Sequence, residues 1–136
     1  MKVLVDTSVW SAVLRRQIPR DYKKTTEILT DLLRDLRVVL IGPIRQELLS
    51  GISSPALFQK LKEKLSGLTD FPLDTAVYEL AAEYANICRR HGVQGSHTDF
   101  LICAAAVQNN WEIFTEDKDF QNYKKYLPLK LFTPTN

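Results

Sequence analysis

Apolar positions along the chain fall into two spacings. Short solid runs stand at Val3-Leu4-Val5, at Arg37-Val38-Val39-Leu40-Ile41 and at Trp111-Glu112-Ile113-Phe114-Thr115, and a further run over residues 129–132 follows Pro128. Runs of this length suit strands covered on both faces, as in a parallel sheet. Between them the spacing turns helical. Residues 22–36 place Ile28, Leu29, Leu32, Leu33 and Leu36 on one stripe. Pro43 is suited to the first turn of a helix carrying Ile44, Glu47, Leu48 and Leu49. Ser54-Pro55 opens another, through Leu57, Phe58, Leu61 and Leu65 to a stop at Gly67. Asp74 reads as the cap of a helix with Val77, Leu80, Ala81, Tyr84, Ala85 and Cys88 inward, closed by Arg89-Arg90-His91 and Gly92. After a polar loop at 94–97, residues 98–107 are apolar on nearly every side and predict a central buried helix. Strands separated by helices, with no repeat or linker, predict one α/β domain over residues 1–136: a mainly parallel central sheet flanked by helices.

Composition adds bounds. Hydrophobic residues make up 45% and charged residues 25% of the chain, near the globular average, and no apolar run is long enough to cross a membrane. Lys2 is followed by only three apolar residues before Asp6, too few for the apolar region of a signal peptide, so a cytoplasmic location is expected. Cys88 and Cys103 lie inside apolar helical patterns and read as small buried hydrophobes rather than a disulfide or half of a zinc site. The net charge is +2, from 18 basic and 16 acidic residues. If four acids share a metal site, the remainder carries 18 against 16 − 4 = 12, or +6, which could attract a polyanion. The basic clusters Arg15-Arg16, Arg20 with Lys23-Lys24, Arg89-Arg90 and Lys124-Lys125 read first as solvated faces.

The acids raise the chemical question. Asp6 stands directly after the first strand, Glu47 about one turn into the helix after the second, Asp99 at the start of the most apolar helix, and Asp117 with Asp119 after the third strand. In a parallel sheet these places face one edge, where ligands bind. Taken singly, each has a plain structural use. Asp6 or Ser8 would cap a helix beginning near Val9, Asp99 would complement a helix dipole, Glu47 would be an exposed helical acid, and Asp117-Asp119 would form a polar turn. Taken together, acids that converge on one edge repel, and a cation among them makes the arrangement tolerable.

Four stretches, LVDTSVW, PIRQELLSG, HTDFLICAAA and FTEDKDF, resemble in content and order the blocks of the PIN-domain nucleases, and in particular the VapC-type ribonuclease toxins of toxin–antitoxin pairs. The similarity runs over essentially the whole chain. It implies metal-site acids at Asp6, Glu47, Asp99 and Asp117, with Asp119 accessory, an RNA substrate, a small cognate antitoxin that folds into the cleft, and a homodimer. Glu116 departs from the pattern, since many relatives carry a basic or neutral residue there.

An all-oxygen carboxylate set suits a hard cation, Mg²⁺ with Mn²⁺ as substitute, and in-line phosphodiester hydrolysis by an activated water follows from it. His91 and His97 match no transition-metal spacing. Thr7, Ser8 and Thr115 are candidates for hydrogen bonds to the acids or to phosphate. Trp10, Arg15, Arg16 and the tyrosine-flanked lysines, between Tyr123 and Tyr126, are candidates for RNA contacts. Two other readings compete: a noncatalytic RNA- or protein-binding module, and an aspartyl-phosphate enzyme in which Asp6 is the nucleophile. The second lacks its usual partner acid, because Ser8 stands there.

Overall fold

In a computed structural model of the chain, which describes residues 1–14 and 23–134, Val3–Val5 form a fully buried strand β1. It pairs in parallel with β2 (Val38–Val39) on one side and β3 (Glu112–Phe114) on the other, in the order β2-β1-β3. Val3 stands opposite Val38 and Glu112, and Val5 opposite Phe114. A strand with neighbours on both edges and cover on both faces has no wet side, which is why its three residues are all aliphatic. Arg15, Arg16, Arg20 and the start of the expected helix at residue 22 lie outside the described residues.

The expected strand at 129–132 is reduced to one bridge between Ile113 and Leu131. Pro128 has no N–H to donate, and the Leu129 N–H turns back onto the Leu127 carbonyl at 2.8 Å, so only a short piece reaches β3. At the opposite edge Leu40 bridges Asp70, where no pairing was expected from sequence.

Seven helices are described: α1 (Thr7–Leu14), α2 (Lys23–Arg34), α3 (Gly42–Ser50), α4 (Pro55–Leu65), α5 (Thr75–Arg90), α6 (His97–Asn109) and α7 (Asp119–Lys124). Asp74 caps α5 by accepting the Val77 N–H, and Gly92 at φ 75° takes the left-handed turn after it. Ser96 caps α6 at one end and Asn110 closes the other in the left-handed region. Phe100, Ile102, Cys103 and Ala104 to Ala106 are buried, and α5 is the main neighbour of α6. Two stripes differ from expectation. Leu36 lies beyond the end of α2 at φ 57° and is exposed, so the stripe ends at Leu33. On α4 only Leu65 is buried; Leu57 and Phe58 are exposed.

Arg45 ties α3 to the segment after α4. Its guanidinium donates to the Leu65 and Leu68 carbonyls and to Asp70 Oδ1 at 2.9 Å. α7 was not expected as a helix; it buries Phe120 and Tyr123 against the core. Among the described residues no helix is long and apolar enough to cross a membrane.

Candidate active site

Asp6 ends a strand and begins a helix at once. Its N–H bonds the Phe114 carbonyl at 2.9 Å, extending the β1–β3 ladder by one residue, while its carbonyl accepts from Val9 and Trp10 in the first turn of α1. Neither Asp6 nor the chain around it can turn outward, and the side chain is only 5% exposed. Its Oδ2 accepts from the hydroxyls of Ser8 and Thr115, each at 2.8 Å. Each hydroxyl in turn accepts a backbone N–H: Glu116 to Ser8 at 3.0 Å and Asp117 to Thr115 at 2.9 Å. A hydroxyl has one proton, and here the backbone N–H groups leave that proton for Asp6. Burial pushes the Asp6 carboxyl above the usual carboxylate range, and the hydroxyl and backbone hydrogen bonds only partly offset it.

Asp99 is the third residue of α6. The cap of that helix is Ser96, whose Oγ accepts the Asp99 N–H at 3.1 Å, so the Asp99 carboxylate is left for another task. Its Oδ2 accepts the Tyr123 hydroxyl at 2.7 Å. Burial raises the Asp99 carboxyl, the charges of Asp6 and Asp117 add to the rise, and hydrogen bonds from Tyr123 and Ser96 oppose it. Tyr123 is pushed up by burial and by donating to Asp99, so it stays a neutral donor. The Cys103 thiol beneath is raised too, chiefly by burial and then by Asp99, which keeps it an inert apolar group.

The remaining acids are held by local contacts. The Asp117 carboxylate accepts the Asp119 N–H at 2.9 Å, at the start of α7. Asp119 is exposed and joins only through that turn. Glu47 is exposed on α3 and is held by the Thr7 hydroxyl at 2.7 Å. Thr7, Ser8 and Thr115 thus all hydrogen-bond acids.

Among the described residues no three His, Cys, Asp or Glu side chains close into a ready metal cage. The donor set nevertheless fits a hard cation. The charges of Asp6 and Asp117 both act on Asp99, all donors are oxygen, and the ion pairs between described residues, Arg34–Asp31 and Arg45–Asp70, lie elsewhere. A cation would offset the repulsion that now raises Asp99.

Several expectations change. Trp10 is buried, which removes it from direct RNA contact, whereas Lys124 and Lys125 between the tyrosines are exposed; Tyr126 stacks on His91 with ring centroids 4.1 Å apart. His97 is the first residue of α6 rather than a loop residue. The part played by Tyr123 was missed, although Phe120 and Tyr123 at i and i+3 were a helical signal. Beside Glu47 a groove of about 470 Å³ runs between α1, α3 and α4, floored by Leu14, Leu48, Ile52 and Leu61 with Lys60 and Lys64 at its rim.

A three-stranded parallel sheet with acids gathered at the carboxyl ends of β1 and β3 defines a PIN fold, and the pattern of the PIN domain matches residues 3–126. The chain belongs to the PIN-domain family. It is 28% identical over 120 residues to a VapC ribonuclease of Mycobacterium bovis and equally to ribonuclease VapC11 of Mycobacterium tuberculosis, covering 87% of this chain and 88% of each relative. Its fold is similar to that in the crystal structure of FitAcB from Neisseria gonorrhoeae (TM-score 0.75, 25% identity, 96% of both chains). It also resembles VapBC-1 from nontypeable Haemophilus influenzae (TM-score 0.73, 17% identity, 97% of both chains).

Proposed function

We propose that the chain is a Mg²⁺-dependent endoribonuclease, with Mn²⁺ as a substitute, and the toxin of a type II toxin–antitoxin pair in the cytoplasm. The observation that carries this reading is the buried Asp6 carboxylate at the point where strand order reverses, near enough to Asp99 that its charge and that of Asp117 raise the Asp99 carboxyl, with no basic side chain paired with it among the described residues. The ribonuclease names of the 28%-identical relatives support it.

In this reading Asp6, Asp99 and Asp117 hold the cation, and Glu47 binds a second ion or orients the attacking water. The bound cation supplies charge that acidifies water and stabilises the phosphodiester during in-line hydrolysis. Ser8 and Thr115 fix the direction of Asp6, and Thr7 fixes Glu47. Asp119 donates its N–H to Asp117 and restrains that carboxylate. An aspartyl-phosphate enzyme would carry a second acid two residues after Asp6, where Ser8 stands instead. A noncatalytic binding module would be expected to have lost an acid, and Asp6, Glu47, Asp99 and Asp117 are all present.

The partner in this reading is a small antitoxin, lying along the apolar groove beside Glu47 and reaching the acids with an arginine or lysine; the active assembly is a homodimer. The activity is tested by incubating the protein with total RNA and Mg²⁺ and mapping the cut ends. Discrete cuts abolished by chelator are expected, and Asp6→Asn, Asp99→Asn and Asp117→Asn should each slow cutting by orders of magnitude without unfolding the chain. Cutting by Asp6→Asn at the parental rate overturns the assignment.

A further inference from the structure

Tyr123 spends a hydroxyl where packing needs none. Its ring is fully buried, set 5.2 Å from Phe100 on one side and 5.2 Å from Phe120 on another. A phenylalanine would fill that space equally well, and a buried hydroxyl destabilises the fold unless it is paired. Among the described residues its hydrogen bond goes to Asp99 Oδ2. A second feature, from another part of the chain, bears on the Tyr123 hydroxyl. Gly95, in the loop before α6, lies against it: a Cβ there would stand 2.9 Å from the Tyr123 Cζ and 3.0 Å from a Phe100 ring carbon, and closer still to the hydroxyl. A side chain at 95 would press on the phenol, so either the loop or the hydroxyl must shift.

We infer that Tyr123 is a positioning residue for Asp99, and that Gly95 supplies the clearance that lets it act. The inference rests on the nuclease reading above. Asp99 is half-buried and repelled by Asp6 and Asp117, so a free carboxylate would rotate toward solvent. The phenol commits Oδ2 to a fixed direction and with it the plane of the carboxylate. Two effects of the bond on cation affinity oppose each other. Donation to Oδ2 withdraws charge from the carboxylate, which weakens its hold on a cation. Orientation strengthens that hold, and it dominates here because the ligand is under repulsion; partners of metal ligands are typically worth about 10–100-fold in affinity.

The test is Mn²⁺ titration of the full chain, read from the free-ion electron paramagnetic resonance signal, on the parent, Tyr123→Phe and Gly95→Ala, with melting curves in chelator. Tyr123→Phe should weaken Mn²⁺ binding by about tenfold or more, and Gly95→Ala, which keeps the hydroxyl but displaces it, should do the same. Parental Mn²⁺ affinity in Tyr123→Phe overturns the inference, even if the variant melts lower, because the tyrosine would then be only structural. A parent that binds no Mn²⁺ overturns the nuclease reading and this inference together; a parent that binds it while both variants match the parent overturns the inference alone. Should Gly95→Ala fail to fold, Tyr123→Phe decides, since it removes a single oxygen.

Discussion

Asp99 occupies a position where an acid ordinarily complements a helix dipole, yet Ser96 does the capping and Tyr123 takes the carboxylate. The consequence is a reversed stability effect. Its carboxyl is raised in the folded chain from an ordinary value of 3.8. Over the window above 3.8 and up to the raised folded value, the folded state holds the proton longer than the unfolded state, so stability falls as pH climbs through that window. Asn at 99 keeps an acceptor for Tyr123 and removes the charge. In chelator, Asp99→Asn is expected to melt at or above the parent at neutral pH, with the difference shrinking toward pH 4. Mg²⁺ should raise the parent's melting temperature with the logarithm of its concentration and leave the variant nearly unchanged. A true cap behaves otherwise: Asp74→Ala should cost about 1 kcal/mol at all pH values where the acid is charged. Melting curves of the three proteins across pH decide it, and an Asp99→Asn that melts below the parent throughout would remove the repulsion argument.

At the scale of elements, α3 must be held firmly because it carries Glu47. Its anchor is Arg45, whose guanidinium serves two backbone carbonyls and Asp70. The Asp70 side chain is 38% exposed, so the ion pair itself contributes little, and the carbonyls matter more. Arg45→Ala leaves the Leu65 and Leu68 carbonyls without that donor, and a loss of about 1–3 kcal/mol in urea unfolding is expected. Salt should change the parent only slightly. A variant as stable as the parent would mean that water replaces the guanidinium without cost. Arg45→Lys should recover only part of the loss, because one ammonium cannot serve three acceptors in a plane.

For the whole molecule, the apolar groove between α1, α3 and α4 includes Glu47 in its lining, so under the proposed function a partner lying in it stands beside a site acid. Lysines at the groove rim and acids beyond it favour a partner with an apolar face, an acid toward Lys60 and Lys64, and a basic tip toward Asp6. Native mass measurement of the protein purified from its host is expected to give two copies of the chain with a small companion protein. Replacing the companion's basic tip should restore cutting of RNA. A chain recovered alone, as a monomer, would count against both the partner and the dimer.

What the chain's own pattern determined was local. Solid apolar runs mark β1, β2 and β3 because a doubly covered strand tolerates no polar residue, and Pro43, Ser54-Pro55, Asp74 and Gly92 mark helix ends because their backbone preferences act within a few residues. The positions of Asp6 after β1 and Asp117 after β3 at the same end of the sheet were legible too, since parallel strands share a direction. Tertiary structure alone decided the rest. Whether residues 129–132 extend the sheet depended on competition from a turn at Pro128, and Asp70 gained its bridge to Leu40 only through the fold around Arg45. The hydroxyls of Ser8 and Thr115 meet on one carboxylate oxygen although they lie 107 positions apart, and Tyr123 reaches Asp99 over 24. Hydrogen bonds to a buried acid are directional and act over less than 3.2 Å, a distance that periodicity along the chain does not encode.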